Sequence, residues 1–554
     1  MRTLRWSVLG LLVLASACSK PAAPSEWHGG VTEQPKLEPA ARAAALVATL
    51  ADEDLVGQVL MPYAYGQHAT NVTEGAAAAN KKLVGVGTPA EMIAKYRLGG
   101  LILVGFEAGD PTAKQTSNIA DPAQVTEFTS GLQAAAGGLT AKAPLLIGTD
   151  QEFGIVTRIK SGVTQLPSAM AFGAANDPAA TEAAWRAAGS ELLAMGINVD
   201  FAPVADVQGA SGVIGSRSFG DQPKIVGEQV VAATRGLQGS GVAATLKHFP
   251  GHGNPAADSH DDLPELRQSR QELTRTDLAP FVAGIGAGAK LVMSGHLDVR
   301  AIDPGLPASF SSKILIDLLR TELGFTGVVV TDALNMAPAQ RWPAGEAAVK
   351  ALLAGNDLLL MPPDPAAAYD AILAGVKNGS VPRERLVQAA TRVLTLKFGL
   401  APAAEGQNVL ASAANTAAAL GLAQKSITLL KGSCTKPLVT GPVRVTASGG
   451  REVAQAKLVA ELKAAGVSVV EQGGKVIHLV GYGDQRADLH KGAAVTVAMD
   501  TPYLLRHADS PVLLATYSSS AVSLTALARV LAGSAKPSGR SPVEVVGLPR
   551  SACA

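Results

Sequence analysis

Cysteine is almost absent from this chain, with three in 554 residues, at positions 18, 434 and 553. That scarcity excludes a disulfide-stapled scaffold, and two isolated cysteines in the C-terminal part do not make a zinc site. Charge is sparse too: Asp, Glu, Lys and Arg together reach 17%, the formal net charge is +1, and no dense Lys/Arg stripe occurs. This balance argues against nucleic acid and acidic surfaces as partners and favours a small neutral ligand. Even the N-terminal apolar run, Trp6 to Leu14, is too short for a comfortable transmembrane helix. What the chain does have is apolar material, at 47% of residues, ample for buried cores. Its length exceeds what one hydrophobic core usually organises, so two domains are expected.

The first residues, MRTLRWSVLGLLVLASACSK, set Arg2 and Arg5 before the apolar run, then small residues, then Cys18. This is the layout of a secretory signal. Ala15-Ser16-Ala17-Cys18 resembles the bacterial lipobox, in which the signal is cut before a cysteine that is then lipidated. An ordinary cleaved signal with an incidental Cys18 is the alternative. Residues 1–18 then form the signal, and 19–37, polar and rich in Pro and Ala, a tether. The expected location is exported and membrane-anchored, in the periplasm or at the cell surface. In an oxidising compartment Cys434 and Cys553 are either bridged or free, and spacing alone does not choose.

Short apolar runs recur at 58–63, 101–105, 144–150, 197–204, 242–249, 290–296, 327–332 and 357–362. They are near-continuous, the pattern of strands buried on both faces of a parallel sheet, and helix-like stretches such as 180–195, 224–236, 311–323 and 345–354 lie between them. Eight strands alternating with helices predict a (β/α)8 barrel over residues 38–403. After an Ala/Pro/Glu/Gly-rich stretch the character changes. A helix over 411–430, strands over 437–440, 467–472, 475–482, 493–499 and 512–517, and helices over 453–465 and 521–532 predict a smaller α/β sandwich domain over 404–554. Regions 66–89 and 107–118 read as long loops at strand ends, and the Asn71-Val72-Thr73 sequon reads as chance.

Asp150, Lys247, His248, His296 and Asp332 each end an apolar run, and in a barrel those ends converge on the face where sites are built. Four of the nine histidines lie between 248 and 296. The stretch KHFPGHG (247–253), followed by DSHDDLP (258–264), leaves a strand and becomes a tight polar loop, because its prolines and glycines suit neither strand nor helix. The spacings fit neither the helical H-E-x-x-H pattern nor a Cys/His cluster, so no metal is expected.

These residues carry a resemblance. KHFPGHG…DSHDDLP looks like the signature of glycoside hydrolase family 3, and its Asp-Ser-His segment resembles the bacterial β-N-acetylglucosaminidases of that family. GTDQE (148–152), NVDFAPVAD (198–206), GSRSFG (215–220), VVVTDALNM (328–336), AGNDLLLMP (354–362), AQKSITLLK (423–431) and AKPSGRSPV (535–543) follow in the same collinear order.

The resemblance implies a retaining exo-glycosidase with Asp332 as nucleophile, His260 as acid/base and Asp258 tuning that imidazole. Asp150, Arg158, Arg217, Lys247 and His248 match residues that grip sugar hydroxyls, joined by Asp206 and His296, each of which could equally be structural. His252 reads as organising the loop rather than catalysing. No cofactor is implied. The implied substrate is a carbohydrate with terminal β-linked N-acetylglucosamine, from peptidoglycan fragments or chitin oligosaccharides. A β-glucosidase or β-xylosidase, a phosphorylase, and a silent wall-binding lipoprotein remain as alternatives, and the oligomeric state is open. Where the branch commonly reads D-Q-E-G-G-R-V-x-R, this chain has Phe153 and Ile155 in place of a glycine and an arginine, which leaves the subsite chemistry open.

Overall fold

The computed structural model describes residues 38–105, 117–209, 214–253, 263–402, 406–434 and 437–553. Cys18 of the lipobox-like segment, the expected tether over 19–37, and Asp258 and His260 lie outside these residues.

Strands follow in chain order as β1 (Leu60–Met61), β2 (Gly100–Ile102), β3 (Leu146–Thr149), β4 (Gln151–Phe153), β5 (Val156–Thr157), β6 (Val199–Asp200), β7 (Ala243–Phe249), β8 (Glu265–Leu266), β9 (Leu291–Ser294), β10 (Asp298–Val299), β11 (Val328–Thr331) and β12 (Leu359–Leu360). Six of them make a sheet in the order β11-β9-β7-β6-β3-β2, every pair parallel. β1 pairs with β12, Val330 bridges to Leu358, and the amide of Ile102 donates to Pro62 O at 3.1 Å. Those contacts close the ring. All eight apolar runs read from the sequence contain or overlap one barrel strand, in the expected parallel order.

The strands form because their apolar residues face two layers. Met61, Leu146, Val199, Phe201, Leu291, Met293, Val328, Val330, Leu358 and Leu360 fill the barrel interior, while Leu60, Leu145, Ile147, Val292 and Val329 pack outward under the helices. Burial on both faces leaves no room for the polar alternation of a one-sided sheet. Three of the surrounding helices open on an Asp-Pro pair. In Pro122–Gly137, Pro178–Ala194 and Pro365–Asn378 the preceding Asp side chain accepts an amide of the first turn, and the proline occupies the position whose own N–H would be orphaned. The predicted helices at 180–195, 224–236, 311–323 and 345–354 each overlap a helix. Region 66–89 is not all loop, since Glu74–Val84 is helical and Thr73 of the sequon caps it.

Beyond the barrel, β13 (Thr428–Lys431), β14 (Val443–Ala447), β15 (Lys475–Val480), β16 (Val495–Ala498) and β17 (Val512–Ala515) form a second sheet in the order β13-β17-β16-β15-β14. β13 runs antiparallel to β17 and the other pairs are parallel. Here the expectation needs correction. The helix expected over 411–430 ends at Ser426, and the rest becomes β13. The runs 437–440 and 467–472 are not strands; the true neighbour of β15 is β14, which Val469 touches by one bridge. Cys434 and Cys553 are joined, with Cα atoms 5.6 Å apart.

The second sheet packs on the barrel. Met170, Ala171 and Ala174 from the barrel share a core with Leu430, Leu513, Tyr517 and Val543. Arg550 donates to both oxygens of Asp221, at 2.9 and 2.7 Å. Among the described residues, no helix is long and apolar enough to cross a membrane.

Candidate active site

The chain after β3 builds one wall of the barrel mouth. Residues alternate sides along a strand, so Asp150 and Glu152 reach the same side while Gln151 turns away. Gln151 fastens this segment: its amide donates to Asp200 Oδ1 at 3.0 Å, and its side-chain oxygen accepts from the amides of Arg158 and Ile159, both at 3.0 Å. The β4–β5 hairpin is thereby pinned so that Arg158 returns to the mouth, its guanidinium 3.9 Å from Asp150 Oδ2.

Lys247 Nζ sits between the two carboxylates, 2.7 Å from Asp150 Oδ1 and 2.7 Å from Glu152 Oε1. Arg217 grips Glu152 with two parallel bonds, Nε to Oε2 at 2.7 Å and Nη2 to Oε1 at 2.9 Å. Burial by itself would raise the Glu152 carboxyl, but Arg217 and Lys247 outweigh it and hold the group well below the usual carboxylate range. Lys247 shows the reciprocal case. Burial pulls its ammonium down, Asp150 and Glu152 pull harder upward, and the group stays charged. Beneath them Asp200 is fully buried, and desolvation pushes its carboxyl well above the usual range. A carboxyl raised in this way holds its proton more tightly, which lessens the negative charge beneath the cluster.

A second group forms around Asp206. Its Oδ1 accepts from the amides of His248, at 3.0 Å, and His252, at 2.7 Å, and its Oδ2 lies 2.8 Å from His248 Nδ1. This leaves His248 Nε2 turned toward Arg217, 3.5 Å from Nη2. The motif glycines are explained by close packing: a Cβ on Gly253 would lie 1.5 Å from the carbonyl oxygen of Val207. The Lys247–His248 and Phe249–Pro250 peptide bonds are cis.

Asp332 ends β11, the seventh barrel strand. Its amide donates to Ser294 O at 2.9 Å, its Oδ1 accepts from Ala333 N at 2.8 Å, and the side chain is half-buried. His296 braces this turn from the next strand end. It is fully buried, with Nδ1 2.6 Å from Ser309 Oγ and Nε2 3.0 Å from Ala333 O. Burial holds the His252 imidazole below its ordinary value and His248 adds to that, while Asp206 and Asp332 pull the other way.

Asp150, Arg158, Arg217, Lys247, His248, Asp206, His296 and Asp332 therefore gather at one end of the barrel. Asp206 and His296 are both buried and engaged with protein groups, Asp206 with His248 and His252 and His296 with the Asp332 turn. Glu152 and Asp200 were missed, although the first shares the D-Q-E triplet and a strand face with Asp150. Phe153 takes its glycine-like position with φ +66° by burying its ring against Trp185, centroids 5.6 Å apart. Among the described residues no group of three or more His, Cys, Asp or Glu is placed to hold a metal ion. A cavity of about 790 Å³ near Lys142 and Lys397 lies at the opposite end of the barrel, by the strand N-termini, and has no part in this cluster.

A closed (β/α)8 barrel with a carboxylate ending its seventh strand, and cations held by carboxylates at the same end, has the rim on which barrel enzymes build their sites. Residues 77–396 match the Glycosyl hydrolase family 3 N terminal domain, and the chain belongs to that family. It is 40% identical over 252 residues to a β-hexosaminidase of Stenotrophomonas maltophilia (strain R551-3), a match covering 44% of this chain and 73% of that one. It is 36% identical over 293 residues to β-hexosaminidase A of Pseudoalteromonas piscicida, covering 49% and 47% respectively. The solved family 3 β-N-acetylglucosaminidase from Paenibacillus sp. str. FPU-7 superposes with a TM-score of 0.78 at 32% identity, over 90% of this chain and 99% of that one.

Proposed function

We propose that the protein is a retaining exo-β-N-acetylglucosaminidase that removes terminal N-acetylglucosamine from peptidoglycan fragments or chitin oligosaccharides. The observation that supports this reading is that Asp332 lies at the same barrel mouth as Asp150, Lys247, Arg217 and His248, which are held in place by protein partners. Hydroxyls both donate and accept, so a neutral sugar suits Asp150, Lys247, Arg217 and His248, which protein partners hold in place before it arrives.

In the proposed reaction the Asp332 carboxylate attacks C1 as the glycosidic bond breaks, giving a glycosyl ester, while a His260 imidazolium passes its proton to the leaving oxygen. Neutral His260 then takes a proton from water, the hydroxyl adds to C1, and Asp332 leaves as carboxylate. Asp258 sits two residues away and supports the imidazolium. The named relatives support the N-acetyl sugar as substrate, and the Asp-Ser-His segment supports the histidine acid.

Asp332→Ala is expected to lower kcat on a nitrophenyl N-acetyl-β-glucosaminide at least about a thousandfold with the fold intact. A fluorinated N-acetylglucosaminyl donor is expected to label the peptide containing Asp332. Label on any other peptide sinks the assignment. Assay for free sugar against sugar 1-phosphate, with phosphate present, identifies the acceptor.

The same proposal places the protein on a membrane through acyl chains on Cys18, with residues 19–37 as tether, a barrel domain over 38–403 and a second domain over 404–554. Palmitate incorporation lost in Cys18→Ala tests the anchor; incorporation that persists refutes it.

A further inference from the structure

A cleft of about 450 Å³ lies between the barrel and the second sheet, away from the cation cluster just described. Its barrel wall is the β4–β5 hairpin, with Ile155 at the tip, together with Ser216, the neighbour of Arg217. Its other wall is made of residues that follow the parallel strands of the second sheet: Tyr482 after β15, Asp500 after β16 and Ser519 after β17. Ligands of open parallel sheets bind outside the carboxyl ends of the strands. Here the carboxyl ends of two sheets border one cleft.

The lining has a definite chemical character. Ile155 and Tyr482 are 42% and 64% exposed, unusual for large apolar side chains, and both belong to this cleft. The charged groups beside them are engaged within the protein: Arg451 bonds Asp484 at 3.2 Å, Asp500 accepts from Ser216, and Lys160 has a partner of its own. What remains is hydroxyl and amide surface beside an exposed aromatic ring. Such a lining suits a neutral polyhydroxylated ligand, whose C–H face lies on the ring and whose hydroxyls meet serine and glutamine. Ile155 also departs from the family pattern, where an arginine is common. The departure therefore exchanges a charge for an apolar contact at this place.

We infer that this cleft receives saccharide units of the substrate beyond the sugar that is cleaved, so that the second domain and Ile155 read the leaving-group side. The inference rests on the proposed N-acetylglucosaminidase activity. The β4–β5 hairpin and the 215–217 turn border both places, facing the mouth through Arg158 and Arg217 and the cleft through Ile155 and Ser216.

The test compares N,N′,N″-triacetylchitotriose with a nitrophenyl N-acetyl-β-glucosaminide on the full chain. In Tyr482→Ala, kcat/KM for the trisaccharide is expected to fall about tenfold relative to that for the nitrophenyl glycoside, and Ile155→Asp is expected to act in the same direction. An unchanged ratio in both variants overturns the inference while leaving the proposed activity standing. Absence of turnover on both substrates refutes the proposed activity instead, and calorimetry then decides the cleft: trisaccharide binding weakened about tenfold by Tyr482→Ala upholds it, and equal affinity or no binding overturns it.

Discussion

Glu152 shows how much of this site depends on a residue with no chemistry of its own. It is 5% exposed, yet it holds Arg217 with two bonds and Lys247 with a third, so removing its charge leaves Lys247 on Asp150 alone and Arg217 without its carboxylate partner. Breaking such a buried arrangement from one side typically costs about 3 to 5 kcal/mol. Glu152→Gln is expected to lose stability on that order in urea titrations at pH 7, and to raise KM more than it lowers kcat because Arg217 is freed to move. A carboxyl held below its ordinary 4.5 contributes stability that is present above that pH and lost as pH falls toward the depressed value. The gap between wild type and Glu152→Gln should therefore shrink in acid below about pH 4.5, and a gap that stays constant from pH 7 to pH 3 refutes this account.

At the scale of elements, the barrel was legible and the second sheet only partly so. Barrel strands read clearly because burial on both faces makes them continuous apolar runs, four of which end in Asp150, Lys247-His248, His296 and Asp332 at the mouth. In the second domain the run Ile427–Leu430 continues the apolar spacing of the preceding helix, and periodicity alone does not separate a short buried strand from one more helical turn. β14 was missed for the opposite reason: Arg444 and Thr446 alternate with Val443 and Val445, a half-buried pattern beside an equally apolar stretch at 467–470. Of the site, Asp150, Lys247, His248 and Asp332 were readable as strand ends, whereas Glu152 and Asp200 act through partners that only the fold brings near.

The last barrel helix, Arg383–Gly399, contributes a further element that composition did not announce. Its Lys397 is 2% exposed, bonds Gln58 Oε1 at 2.7 Å, and is pushed by burial down to about 7. Between about pH 7 and the ordinary 10.5, the unfolded chain keeps a proton that the folded amine gives up, so wild-type stability rises with pH across that window. Lys397→Met carries no such proton. It is expected to be more stable than wild type by a few kcal/mol at pH 6, at about 1.4 kcal/mol per pH unit of the window less the cost of the lost Gln58 bond. That advantage should close by about pH 10. Urea titrations at pH 6, 8 and 10 read it directly, and a difference independent of pH sinks the assignment of a neutral buried amine.

For the whole molecule, the question is what the second domain contributes to chemistry carried out in the barrel. The segment from Ile214 to Asp221 supplies Arg217 to the site, and the second domain holds that segment at two points. Ser216 donates to Asp500, and Arg550 clasps Asp221 through both carboxylate oxygens while Glu544 N donates to it at 2.8 Å. Gly220 fits against Pro542, where a Cβ would stand 2.6 Å from the carbonyl oxygen. Arg217 is thus aimed from both sides: Glu152 fixes its head, and the second domain fixes the chain that carries it. Asp221 and Arg550 are 23% and 22% exposed at the side chain, so their pair contributes only about 1 kcal/mol to stability. Its larger effect is on position. Arg550→Ala and Asp221→Ala are each expected to raise KM for the nitrophenyl glycoside severalfold with kcat changed by less than about threefold, and the double variant is expected to cost no more than either alone. Additive losses, or a fall in kcat with KM unchanged, would show that the second domain does not act on the site through this clasp.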